Sequence, residues 1–550
     1  MKWTAQNPRI PNNRPRWGRD RTRVAAFVAA LAIGPGVACG DSGSGETDSS
    51  GETDDQPGVL ETVELAYAPS ESSVLSGALT VQTDEPTSLA SVVVTPEGAP
   101  AWEVPASGIT SAEDGRSHEV MILGLKPARG YSFTVTARHD EGEGQPELSA
   151  DLPFTTDPLP EVFPPAQFHG SDPARMQPGV TFLDSTSREG FTATGGYLLA
   201  FDELGEVVWY FTGPTVQQPA DIRRLQNGNL LFLGFEENGV DSMAVEIDML
   251  GREVARWTRG QTGIIGMHGD LFEMPSGDLL TMGLELRQIG GYANDAVYDV
   301  VGEIITEFSR DGAVTREIKL LDVLDPYRIP SQDFHNGFYN GVFNQMTKDW
   351  AHVNAVIYDA TDDSYVVSSR HQDIVFKIDR ESAALVWVIG RPHSSSEVDD
   401  SWPFLEMVGE GTFPNHQHSP QMLANGNVMI FDNNNKGRRS RAVEYALDLD
   451  AMTVEQVWEY TDPDYDPEIF SIFIGDADVQ ANGNVLIDFG ATLLEPATLD
   501  TRGAYAHIVE VDRETGDKVF ELDIRGEEGD DKQRLVYRAD RQPSLYAGVE

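Results

Sequence analysis

One cysteine, Cys39, in 550 residues excludes an intramolecular disulfide, so whatever folds here must be held by packing alone. Basic residues are scarce as well. Forty Lys and Arg against 89 Asp and Glu give a formal charge of −49, and such a surface repels nucleic acid and anionic membranes. Beyond the N-terminal segment no apolar run is long enough to span a bilayer. There is no phosphate-cradling Gly-rich loop ending in Lys-Ser or Lys-Thr, so nothing marks a nucleotide-borne donor. A Gly-x-Ser-x-Gly elbow with triad context is missing too, which argues against a serine hydrolase.

What is present begins with a leader. Arg14, Arg16, Arg19, Arg21 and Arg23 precede the apolar stretch from Val24 to Ala38, too short for a stable membrane helix and typical of a signal peptide. It ends in Gly36-Val37-Ala38-Cys39-Gly40, which resembles a bacterial lipoprotein cleavage site with Cys39 as the acylated first residue, the alternative being ordinary cleavage after a small-x-small site such as Ala38-Cys39-Gly40. Removal of the first 38 residues, with seven basic and one acidic side chain, would take the charge to −55. The expectation is a signal segment at 1–39 and export to the periplasm or an outer-membrane anchor. Residues 40–58, rich in Gly, Ser, Asp, Glu and Thr, read as a flexible acidic linker.

The rest alternates with a period of two and reads as all-β. Over 59–158, strands such as Ala78 to Thr83 and Tyr131 to Ala137 suggest a small fibronectin/Ig-like β-sandwich. There the run Leu125 to Tyr131 resembles a corner pinned by a tyrosine. From 159 to 550 the chain repeats itself. Leu225-Gln226-Asn227-Gly228-Asn229-Leu230 has counterparts in Leu423-Ala424-Asn425-Gly426-Asn427-Val428 and Gln480-Ala481-Asn482-Gly483-Asn484-Val485, each a hairpin through an Asn-Gly turn. A third strand ending in Asp and a fourth carrying Trp257, Trp387 or Trp458 follow. Units of this kind begin near residues 180, 221, 268, 352, 418 and 476, which predicts a six-bladed β-propeller. A single unrepeated sandwich would not explain six similar turns.

In a propeller the first strand of each blade lines the central channel, so equivalent positions converge. Gly266-Met267-His268-Gly269-Asp270, Ala351-His352-Val353-Asn354 and His416-Gln417-His418-Ser419 place His268, His352 and His418 at one phase of three units, with Arg370 following His352 in its own unit. A lone histidine there is most often structural; three at one phase, with a guanidinium, suit the transfer of an anionic group. Zinc is the other use of three histidines, but no HExxH element supports it and Arg370 would repel a dication, so no metal is expected. His335, His371, His393 and His507 fall off the phase and read as surface or packing residues; His416 stays unassigned.

At these residues the chain resembles the bacterial arylsulfate sulfotransferases. The likeness rests on Asp349-Trp350-Ala351-His352-Val353-Asn354, Ser368-Ser369-Arg370-His371-Gln372-Asp373, Lys377-Ile378-Asp379, Gln417-His418, Phe431-Asp432-Asn433 and the closing Tyr537-Arg538-Ala539-Asp540, over roughly residues 60–550. The resemblance implies a six-bladed propeller that moves a sulfuryl group from an aryl sulfate donor to a phenolic acceptor. It does so without 3′-phosphoadenylyl sulfate, without a cofactor, and by a ping-pong route through a sulfohistidine. By the same resemblance His418 is the nucleophile, His352 and Arg370 bind the sulfuryl oxygens, His268 is the acid and base at the phenolic oxygen, and Asn354 orients the nucleophile. Two features depart from the family pattern: Met267 stands where a second histidine often precedes His268, and paired cysteines are missing.

Two other classes stay open on sequence. Turns such as Asp512-Arg513-Glu514-Thr515-Gly516, with the Trp-bearing strands, also resemble quinoprotein dehydrogenase propellers, which would need a quinone and calcium. A non-catalytic cell-surface propeller binding a sugar or peptide is the other. Partners expected are donor and acceptor, no nucleic acid, and a membrane only through a lipidated Cys39. A homo-oligomer is neither required nor excluded.

Overall fold

Alternation of buried and exposed side chains sets the N-terminal strands of this computed structural model, which describes residues 60–139, 147–190, 192–213, 217–235, 241–330, 335–392 and 401–549. The leader, Cys39 and the linker lie outside the described residues. Val63–Pro69, Gly77–Thr83, Ser117–Ile122 and Ile109–Ser111 form one four-stranded antiparallel sheet. Trp102–Glu103, Thr87–Pro96, Gly130–His139 and Leu148–Thr155 form a second. Their inward residues, among them Leu79, Val92, Val120 and Phe133, make one shared core. The Tyr131 hydroxyl accepts the Lys126 N–H at 2.7 Å, the corner bond read from the sequence.

The remainder is all-β and propeller-like, among the described residues a succession of six mainly antiparallel sheets from Ala166 to Gln542. Five begin where the repeats begin, with the strands Ala220–Arg224, His268–Glu273, Val353–Asp359, His418–Met422 and Asp476–Val479 at one sheet edge. The unit near residue 180 differs. Its strand Val180–Glu189 is second in its sheet, and the edge position is filled from the far end of the chain by Gln533–Leu535 and Ala539–Gln542. The sixth sheet is completed in turn by Ala166–Ser171 pairing with Lys518–Ile524. The first and last strands of this region are thereby paired into sheets formed by distant parts of the sequence.

The turn sequence follows from backbone geometry. Gly228, Gly426 and Gly483 have φ of 86°, 85° and 92°, a left-handed conformation that a side chain would strain. The Asn after each glycine reaches a buried glutamate on the third strand: Asn229 to Glu246 at 2.6 Å, Asn427 to Glu444 at 2.5 Å, Asn484 to Glu510 at 2.7 Å. Arg310, Arg513 and Arg541, each from another sheet, pair with those same glutamates. The outer-strand indoles do likewise, Trp257 donating to the Arg310 carbonyl and Trp458 to that of Arg513. The repeated motif is therefore a clamp between adjacent sheets.

Along the edge strands a second set of bonds passes from sheet to sheet. Asp184 accepts the Ile222 N–H, Asp221 that of Leu271 and Asp270 that of Val356; Asn354 donates to the Gln417 carbonyl, and Ser419 to that of Gly475. Tyr537 N–H returns to Asp184 at 2.6 Å. Arg538, 4% exposed, ties Asp221, Asp270 and Asp476 together. Burial of so many carboxylates raises Asp184 to about 7 and Asp270 to about 6, with the Arg538 charge opposing the rise. Among the described residues no helix is long and apolar enough to cross a membrane.

Candidate active site

A β-bulge falls at the start of the edge strands carrying the predicted histidines, between His268 and Leu271, Val353 and Ala355, and His418 and Gln421. Bulges re-aim a side chain relative to its strand, and here they do so at one phase. His268 and His418 open their strands; His352 is one residue before its strand, at φ 46°, rather than within it. The three strands pack against one another in order, which brings the three imidazoles to one end of the edge-strand cluster.

His418 is the most constrained. Its Nδ1–H donates to Asn433 Oδ1 at 2.6 Å, and Asn433 Nδ2 donates to the Ser471 and Ile474 carbonyls at 2.9 Å each. Two carbonyls can be satisfied only by the amide nitrogen, so Oδ1 must face the ring and the proton must sit on Nδ1. That leaves the lone pair on Nε2, which meets only a long 3.3 Å contact from the Ile474 N–H. Burial, followed by the nearby Arg370 guanidinium, pushes its pKa well below 6.5. A neutral imidazole with a defined acceptor nitrogen results, its Nε2 taking the Ile474 N–H.

Around it lie cationic and proton-handling groups. Arg370 reaches the Ile472 carbonyl at 3.4 Å, two residues from the amide that touches His418, and burial brings its pKa down to about 10, so it stays charged at neutral pH. His352 Nδ1 bonds Asp349 at 2.6 Å, and the His352 ring stacks on His371 with centroids 4.6 Å apart. His268 Nδ1–H donates to the Gly266 carbonyl at 2.8 Å, and burial lowers its pKa against the opposing pull of Asp349 and the Gly266 and Val353 backbone. Tyr339 wedges between His268 and His352, 5.6 and 6.1 Å from their ring centres. Among the described residues, His268 Nε2, Arg370 Nε, Asn354 Oδ1 and the Tyr339 hydroxyl are buried without a hydrogen-bond partner. Unsatisfied groups of this kind cost free energy unless a polar ligand or water meets them.

Asn354 donates to the carbonyl of Gln417, the residue before His418, and Asn433 bonds the imidazole itself. His371, read as a packing residue, is packed against His352 itself, while His507 is held between Asp462 and Asp523 away from these groups. His416 lies 6.1 Å from His371. His393 lies outside the described residues. Asp349, His352 and His371 bring ligand atoms within 4.8 Å of one another, as do Asp462, His507 and Glu521, so each group could hold a metal ion. At the first, the neighbouring Arg370 charge opposes a dication.

These features define an all-β, propeller-like protein that gathers His268, His352, His418 and Arg370 near the starts of adjacent edge strands. The chain belongs to the arylsulfotransferase (ASST) family, whose model matches residues 167–538. It is 31% identical over 384 residues to arylsulfate sulfotransferase AssT of Escherichia coli O6:H1, covering 60% of each chain. The AssT of Lelliottia amnigena is 27% identical over 220 residues, covering 35% of each. The chain thus spans about 60% of the length of the first of these relatives and less of the second. A stretch of 103 residues is 32% identical to contactin-3 of Homo sapiens, covering 18% of this chain and 10% of that one.

Proposed function

We propose that this chain transfers a sulfuryl group from an aryl sulfate ester to a phenol, without a nucleotide-borne donor, through a sulfohistidine at His418. The observation that carries the reading is the fixed tautomer of His418, which leaves Nε2 neutral and unprotonated. Nε2 attacks sulfur, an N–S bond forms, and the sulfur to aryl-oxygen bond breaks with its electron pair leaving on the phenolate. The ring then carries positive charge, which the Asn433 oxygen stabilises through Nδ1–H. In the second half the acceptor oxygen attacks sulfur and Nε2 leaves with the N–S pair. His268, neutral at rest, takes the acceptor's proton on Nε2 and gives it to the next departing phenolate. Arg370 and His352 hold the three sulfuryl oxygens, where charge is spread in a loose transition state.

Release of nitrophenol from 4-nitrophenyl sulfate should depend on added phenol and need no nucleotide. Release with no dependence on any phenol would reject transfer. For the fold, we read the six sheets as a six-bladed propeller closed by the C-terminal strands, and residues 59–158 as a fibronectin-like sandwich; the sheet-to-sheet bonds support the first and the Tyr131 corner the second.

The leader composition supports export with acylation at Cys39. Wild-type protein should then fractionate with membranes and Cys39→Ser should not. Identical fractionation of the two would remove the lipid anchor.

A further inference from the structure

Between the outer strand Val314–Lys319 and His352 the chain makes an insertion without repeat character. Its described residues, 320–330 and 335–351, are anchored. Lys348–Asp349 pairs in parallel with Val300 and Val301 of the strand Ala296–Phe308, and Asn340 Oδ1 accepts the Thr347 N–H at 2.8 Å. Arg328 in the same insertion donates to the Gln372 and Arg391 carbonyls at 2.6 and 2.8 Å, next to the hairpin that carries Arg370. Within this held segment two adjacent aromatics behave in opposite ways: Tyr339 is 4% exposed, whereas Phe338 is 69% exposed.

What sets Phe338 apart is that its exposed ring stands against the ring of His352. The Phe338 ring meets the His352 ring with centroids 4.8 Å apart at 74°, and Tyr339 at 4.9 Å and 90°. Those two neighbours fix its orientation by edge contacts and leave the rest of the ring to solvent. A sulfuryl group held by His352 and Arg370 carries its aryl ring on one bridging oxygen, so that ring falls within reach of Phe338.

We infer that Phe338 is a specificity-determining platform on which the aromatic ring of donor or acceptor stacks. This inference rests on the sulfuryl-transfer reading above. The ring contact is made equally in ground and transition states, since it lies away from the breaking bond, so it should act on KM and leave kcat nearly untouched.

The test uses full-length protein and two probes that cannot transfer, benzenesulfonate and methanesulfonate, alongside turnover of 4-nitrophenyl sulfate. Phe338→Ala should weaken benzenesulfonate binding about tenfold, the upper range for an aromatic pair with its buried area. KM for the aryl sulfate should rise by a similar factor with kcat within about twofold. Phe338→Tyr should restore both, and methanesulfonate affinity should not change in either variant. Equal weakening of the two sulfonates, an unchanged benzenesulfonate affinity, or no benzenesulfonate binding by wild type would overturn the platform. Ring-dependent binding in a protein that transfers no sulfuryl group would keep the platform and reject the sulfotransferase reading instead.

Discussion

His418→Ala is expected to abolish turnover, the pre-steady-state burst and the covalent adduct together. With donor and no acceptor, wild type should release phenol in a burst no larger than the enzyme concentration, followed by slow hydrolysis. Intact mass at neutral or alkaline pH should show one added sulfuryl group. Acid should remove it, because protonation makes the nitrogen a better leaving group. The pH dependence has a definite sign. Burial and Arg370 hold the His418 pKa well below 6.5, and the protonated ring has no lone pair to attack with. The burst rate should therefore persist as pH falls through 6.5 and decline only further down, whereas an exposed histidine would lose half its nucleophile near that value. A ternary-complex rate pattern with no burst would overturn the covalent route even if the protein transfers sulfuryl groups.

The parts of this arrangement that were legible in the sequence are those set by short-range geometry. The Asn-Gly turns could be read because a left-handed φ at Gly228, Gly426 and Gly483 demands glycine, and the turns fix the register of each hairpin. Only the Gly426 turn belongs to a histidine-bearing unit; the phase of His268 and His352 is read from the turns at Ser276-Gly277 and Asp362-Asp363, and His352 falls one residue before its strand. Pairing of Val180–Glu189 with strands near residue 540 was not legible, since a turn or a period says nothing about a partner some 350 residues away. Asn433 was visible only as part of a family signature. Its bond to His418 spans a hairpin of 15 residues, and its amide is oriented by a loop from the next sheet. Asp349 stood three residues from His352, but i to i+3 spacing means contact only in a helix or tight turn, and the left-handed φ of His352 makes the turn. Phe338 and Tyr339 sit in an insertion with neither strand nor helix period, so no pattern placed them at the pocket.

Arg370 should have the second largest effect, and its substitutions separate charge from geometry. Arg370→Ala removes the cation proposed above to hold the sulfuryl oxygens, and losing one such preorganised donor costs about 10²- to 10³-fold in turnover. Lysine keeps the charge but not the planar fork that can hold two oxygens at once, so Arg370→Lys should still lose at least ~10-fold, about 1.4 kcal/mol of transition-state stabilisation. A second readout distinguishes an acting group from a merely structural one. The guanidinium is one of the causes that holds the His418 pKa down. In Arg370→Ala that charge is gone, the imidazolium becomes easier to form, and the acid limb of the burst should move up in pH toward 6.5. With lysine the charge remains and the limb should stay near its wild-type position while the rate falls. Full activity in the lysine variant would show that charge alone suffices there, and an unmoved acid limb in the alanine variant would show that Arg370 does not govern the protonation of His418.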